Sequence, residues 1–124
     1  MATFTKGLLS GTSADDGQAY AVTDVVTTVH TAPSVATSYD EIWIYATNAS
    51  MTDADIVLDI GWGADPDTLD DNRIKQTLAA DEGYVLVIPG LILQGNATTA
   101  LEVQVKASAT NSINLTGYVN HITA

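Results

Sequence analysis

Along most of this chain apolar and polar residues alternate with a period of two, the spacing of side chains on a pleated strand. The clearest case is Asp55-Ile-Val-Leu-Asp-Ile-Gly-Trp62, with Ile56, Leu58, Ile60 and Trp62 on one face and Asp55, Val57, Asp59 and Gly61 on the other. Upstream, Ala19 to Thr31 is rich in Thr and Val, and β-branched residues at that density favour a strand, which Pro33 ends. Glu41 to Asn48 forms the next strand, and Asn48-Ala-Ser-Met-Thr-Asp53 reads as a hairpin connection into the strand at 55–62. A shorter strand is expected from Arg73 to Leu78. After an Asp81-Glu82-Gly83 turn, Tyr84 to Ile88 gives another, and Pro89-Gly90 opens a loop carrying Leu91, Ile92 and Leu93 and closed by Gln94-Gly-Asn96. Two alternating segments finish the chain, one with Leu101, Val103 and Val105 on a face, the other with Ile113, Leu115, Gly117 and Val119, linked by Ser108 to Asn111.

Nowhere do apolar positions keep a three-to-four spacing for three turns, and no helix-length segment separates the strands as a parallel sheet would need. The expected fold is all-β, an antiparallel β-sandwich of about seven or eight strands. A jelly-roll order is compatible with it, and periodicity leaves the Greek-key order open. Residues 1–17 are Gly, Ser, Thr and Asp in character with no sustained period, which predicts an extended N-terminal arm ahead of a single sandwich domain at 18–124. There is no internal repeat.

At 124 residues the chain can bury roughly two-thirds of its unfolded surface in a single core. Its apolar content of 46% excludes disorder, and no apolar run approaches the roughly 20 residues needed for a membrane-spanning helix. Fifteen acids against four bases give a net charge of −11, so nucleic acid and anionic membranes are repelled and are not expected partners. With no cysteine there is no disulfide, thiol chemistry or thiolate metal site. The N-terminal stretch holds only the Leu8-Leu9 pair of adjacent aliphatics, too little for an export signal, so synthesis in a cytoplasm is expected. The sequons at Asn48, Asn96 and Asn114 then carry no glycan.

Candidate chemistry is sparse. His30 and His121 lie on predicted strands far apart in the chain and read as ordinary, partly exposed strand histidines; a metal site there would have to recruit carboxylates. Ser10 and Ser13 fall in the arm, a poor place to hold a nucleophile rigidly, and no Gly-X-Ser-X-Gly elbow occurs. Asp53 and Asp55 could set two carboxylates roughly 6.5 Å apart on one strand face, the best available case for a glycosidase pair, though any half-buried strand gives that spacing. Asp65, Asp67, Asp70, Asp71 and Asn72 supply oxygen ligands for Ca²⁺ in one loop, without the EF-hand pattern, and read as a solvated acidic turn. No cofactor is expected, and no enzyme.

Two strands are apolar on both faces. Ile42, Ile44 and Ala46 alternate with Trp43, Tyr45 and Thr47, and Tyr84, Leu86 and Ile88 alternate with Val85 and Val87. A sandwich strand needs only one apolar face, so the second lies under the chain's own loops, under the arm, or against another chain. Trp and Tyr are favoured at interface cores. The candidate contact residues are Trp43, Tyr45, Val85 and Val87, joined by Phe4, Leu8 and Leu9 of the arm.

The order Thr28-Val-His-Thr-Ala-Pro33, then Asp40-Glu-Ile-Trp-Ile-Tyr-Ala-Thr-Asn-Ala-Ser50, then Ala54-Asp-Ile-Val-Leu-Asp-Ile-Gly-Trp-Gly63 resembles small β-sandwich virion proteins of tailed viruses, especially head decoration or cement proteins. Tyr84-Val-Leu-Val-Ile-Pro-Gly-Leu91 and Ile113-Asn-Leu-Thr-Gly-Tyr-Val-Asn-His-Ile122 fit the same layout, so the resemblance covers roughly residues 20 to 124. It implies binding without chemistry: a homotrimer or other cluster on the capsid surface, holding neighbouring copies of a major capsid protein. Tail and neck proteins of the same viruses share such patterns. An arm of 17 residues could reach about 50 Å across an adjacent subunit. A different class, a carbohydrate-binding or host-adhesion module, is the alternative, with Trp62 or Tyr118 as an aromatic platform.

Overall fold

The computed structural model describes residues 3–10, 19–50, 54–64, 72–80, 82–95, 97–110 and 112–123. Among these described residues nine strands are formed: β1 (Thr3–Leu8), β2 (Tyr20–Val22), β3 (Thr27–Thr31), β4 (Ser38–Asn48), β5 (Ile56–Gly63), β6 (Asn72–Leu78), β7 (Val85–Leu93), β8 (Glu102–Ala107) and β9 (Ile113–Thr123). The eleven-residue β9 pairs with β4 along its whole length. Its other edge carries two short strands end to end, β1 against Tyr118–Thr123 and β2 against Ile113–Leu115. With β7 beyond β4, the first sheet reads β1/β2-β9-β4-β7, and the second reads β3-β8-β5-β6. All these ladders are antiparallel. Two four-wide sheets with strands 2-9-4-7 facing 3-8-5-6 make the jelly-roll order that periodicity left open.

The sandwich interior is one apolar cluster fed from both sheets, including Ile42, Ile44, Ile113 and Leu115 from the first and Leu58, Ile60, Val103 and Val105 from the second. Ile56, Leu58, Ile60 and Trp62 share the core face of β5 as the alternation predicts, with Trp62 partly buried. The β4–β5 connection is held by Asn48, whose buried amide donates to the carbonyls of Ala54 and Leu78, both at 2.8 Å.

Three sequence expectations change. The run from Ala19 to Thr31 is two strands, because the chain leaves the first sheet after β2 and enters the second at β3. A period of two records which face is apolar but not which sheet the strand joins. At the crossing the Thr23 carbonyl accepts from the Ala107 N–H at 2.9 Å, and its hydroxyl from the Val25 N–H at 3.2 Å. Secondly, Pro89-Gly90 does not end a strand. β7 continues through it to Leu93, because β7 is a sheet edge where the missing proline N–H breaks no ladder bond. Thirdly, residues 3–8 of the expected arm form β1, docked in register on β9.

Candidate functional site: an aromatic sheet face and a buried polar tie

On β4 the odd-numbered side chains from Tyr39 to Thr47 point away from the interior, while Ile42, Ile44 and Ala46 are fully buried. The pairing registers carry that outward face across the whole first sheet. One row aligns Leu8, Tyr118, Trp43 and Pro89 on β1, β9, β4 and β7; the next aligns Lys6, Asn120, Glu41 and Ile92. Phe4, Ile122 and Tyr39 form a row on one side, and Thr116, Tyr45 and Leu86 a row on the other. Phe4 is 66% exposed, Ile92 57% and Leu8 46%. Trp43, Tyr45 and Tyr118 are half-buried, and Ile122 is buried.

The aromatic centre is ordered by its polar row. The Trp43 and Tyr118 rings lie nearly parallel, 11° apart with centroids at 6.2 Å, and the Lys6 ammonium sits 4.4 Å from the centre of the Tyr118 ring. Glu41 Oε1 accepts from the Trp43 indole N–H at 2.8 Å and from Asn120 Nδ2 at 3.0 Å. Those two bonds, Trp43 foremost, hold the Glu41 carboxyl below its ordinary range. Gly90 leaves room for the indole. A Cβ there would stand 3.1 Å from the Trp43 ring, and its backbone already sits in the left-handed region at φ +81°.

Of the seven residues proposed for contact, Trp43, Tyr45, Phe4 and Leu8 come together on this face, and three do not. Val85 packs against the core, and Val87 and Leu9 are buried in it. Two bulges account for the valines. Ile42 and Trp43 pair with Leu91 and Pro89, and Ile44 and Tyr45 with Ile88 and Leu86, so Gly90 and Val87 are extra residues on β7. Each insertion resets the alternation. Leu86 therefore faces outward with Tyr45, while Val85 and Ile88 face inward.

Leu9 leaves the β1 ladder for the interior, where Gly117 makes space for it. A Cβ on Gly117 would meet the Trp43 carbonyl oxygen at 2.4 Å and Leu9 Cδ1 at 3.3 Å. Ser10 then reaches the second sheet. Its N–H donates to His30 Nδ1 at 3.2 Å, its hydroxyl lies 3.2 Å from the same nitrogen, and its oxygen accepts from the Thr31 N–H at 3.0 Å. With Nδ1 acting as acceptor, Nε2 holds the proton donated to Asp40 Oδ2 at 2.6 Å, and His121 Nδ1 donates to Asp40 Oδ1 at 2.7 Å. Burial alone would raise the Asp40 carboxyl, but the hydrogen bonds from the two imidazoles outweigh it and hold it below the usual range.

This Ser10–His30–Asp40–His121 chain corrects the reading of the histidines: His30 is buried and both are tied to one carboxylate. No local sequence signal could show it, because the four residues come from four separate segments. Chemically it is a tie between sheets. Ser10 meets Nδ1 and Asp40 meets Nε2, the reverse of the arrangement that activates a serine. No cluster of three metal-ligating side chains occurs among the described residues. Asp55 is exposed and Asn72 opens β6, its amide donating to the Trp62 carbonyl at 3.1 Å; Ser13, Asp53, Asp65, Asp67, Asp70 and Asp71 lie outside the described residues.

No protein-family model and no curated protein matches the sequence. Among solved structures, a chain of the T13 IBDV viral particle is similar over 98% of this chain and 31% of its own length, at 11% identity and a TM-score of 0.49. A chain of T=1 particles derived from Infectious Bursal Virus is similar over 98% of this chain and 32% of its own, at 11% identity and a TM-score of 0.44. This chain therefore spans about a third of the length of either.

Proposed function

We propose that this chain is a non-enzymatic structural protein of a virion, a decoration protein that binds the assembled head shell through the outer face of its first sheet. The observation that carries the reading is that face. It displays Phe4, Leu8, Trp43, Tyr45, Leu86 and Ile92 together from β1, β4 and β7, where a sandwich needs no apolar side chains. The order of residues 20 to 124 resembles head decoration proteins, and the jelly-roll order is an architecture used by capsid and lectin domains, a support by analogy of fold alone. The partner is a major capsid protein at the capsid surface. Clustering as a trimer lets modest contacts act together at high effective concentration. A tail or neck position in the same particle would use the same face, and imaging of labelled protein on native particles separates the two.

The test is occupancy on purified particles. Trp43→Ala and the pair Phe4→Ser/Leu8→Ser should lower occupancy while circular dichroism and the thermal transition of the free chain stay those of a folded sandwich. Full occupancy by both folded variants overturns the reading. One observation favours a second reading, carbohydrate adhesion: the near-parallel Trp43 and Tyr118 rings are bordered by Glu41, Asn120 and Lys6, polar groups able to bond sugar hydroxyls. Specific binding on a glycan array, lost in Trp43→Ala, would move the assignment to that class.

A further inference from the structure

The two outer faces of the sandwich are chemically opposite. On the second sheet, Asp59 of β5 stands directly across from Lys75 of β6 on one side and Lys106 of β8 on the other. Arg73 of β6 reaches the same carboxylate, with Nη2 at 3.1 Å and Nε at 3.3 Å from Oδ1. Three of the chain's four basic residues thus converge on one face; the fourth, Lys6, lies on the aromatic face. Asp59 is nearly buried, and its charge is met by Arg73. That leaves Lys75 and Lys106 with Asp24 as the one further described acid in the pocket, and neither lysine forms an ion pair with a described residue. Two strand spacings separate their backbones, about 10 Å. Between them opens a pocket of about 420 Å³ lined by Asp24, Val57, Asp59, Lys75, Lys106 and Ser108. Ser108 is fixed there, its oxygen accepting from the Val57 N–H at 3.0 Å.

Copies of a chain with net charge −11 repel one another wherever acid meets acid. Among the described residues two acids, Asp24 and Asp59, line this pocket, and with Arg73 the bases around it outnumber them three to two, the reverse of the balance in the whole chain. We infer that the outer face of the second sheet is a contact between copies, in which the Lys75–Lys106 pocket receives an acidic side chain from a second copy of this chain. The inference deepens the decoration reading, which clusters the copies. With the acid supplied from outside the Lys75–Lys106 pocket, the two surfaces differ and the contact is head-to-tail, the kind that closes a ring such as a trimer. The aromatic face is left free for the shell.

Zero-length carbodiimide crosslinking tests this, joining a lysine amine to a touching carboxylate with loss of water. An equal mixture of ¹⁴N- and ¹⁵N-labelled chain is treated at the millimolar concentration that clustering creates, and crosslinked peptides are read by mass spectrometry. The expected result is mixed-isotope links from Lys75 or Lys106 to an acid. In sedimentation equilibrium, Lys75→Gln/Lys106→Gln should weaken self-association about fivefold or more, the scale of two partly exposed ion pairs. Single-isotope links alone, mixed links only at Lys6, or self-association unchanged in the double variant overturns the inference. No shell is present in this assay, so its failure is separate from a failure of particle occupancy in the Trp43 variant.

Discussion

Leu9→Ala probes the junction on which the N-terminal segment depends. Leu9 is completely buried, seated over Gly117 at the point where the chain leaves the β1 ladder and crosses to His30. The substitution removes three carbons, worth about 2.4 kcal/mol at about 0.8 kcal/mol per buried methylene. The cavity adds to that, since Gly117 has no side chain to move into it, and Leu→Ala changes in cores cost about 2–5 kcal/mol. The expected loss is about 3 kcal/mol. In a domain of this size that lowers the melting midpoint by about 12 °C. Urea titration measures the loss, and hydrogen exchange locates it. Amides of Thr3–Leu8 should exchange much faster, while the β4–β9 ladder keeps its protection relative to the new global stability. A loss below about 1 kcal/mol, or equal effects on both ladders, would show that Leu9 does not pin the segment.

Gly117→Ala forces a methyl against the Trp43 carbonyl at 2.4 Å and should destabilise by about 1–3 kcal/mol, whereas Gly83→Ala meets no atom and costs only the strain of its φ of +78°. Thermal melts rank the two. Asp40→Asn should cost about 1–3 kcal/mol, because the buried His30 N–H and the His121 N–H lose a carboxylate that accepts from both. The folded Asp40 carboxyl lies below its ordinary value, so its contribution is present above the ordinary carboxylate pKa of about 3.9 and is lost as pH falls through the folded value. The gap between wild type and Asp40→Asn in urea midpoints should therefore close below about pH 4; a gap constant from pH 7 to pH 3 would refute the assignment. Gly90→Val places a branched side chain at a left-handed φ and against the Trp43 ring, and should shift indole fluorescence as well as stability.

The inner half of the fold could be read from the sequence because it depends only on local alternation. Ile56, Leu58, Ile60 and Trp62, and likewise Ile113, Leu115 and Val119, need one apolar face, and their order predicts it. The aromatic face was half visible for the same reason: Trp43 and Tyr45 are surplus apolar residues on a strand already supplied with Ile42 and Ile44. Where β7 bulges, alternation misassigns the faces, because an inserted residue such as Val87 leaves no mark in the apolar pattern while turning every later side chain over. Leu9 reads as a loose aliphatic in a polar arm because its slot is made by Gly117, more than a hundred positions away.

The chain's order of residues, then, determined an all-β sandwich, its core faces, a strongly acidic surface and an excess of aromatic side chains on β4, all consequences of side-chain period and composition. Tertiary structure alone decided which strands share a sheet, that β1 is docked on β9, that Ser10, His30, Asp40 and His121 meet, and that three of four bases converge around Asp59. Pairing between distant strands is a matter of the whole core closing at once. No window of neighbouring residues contains it.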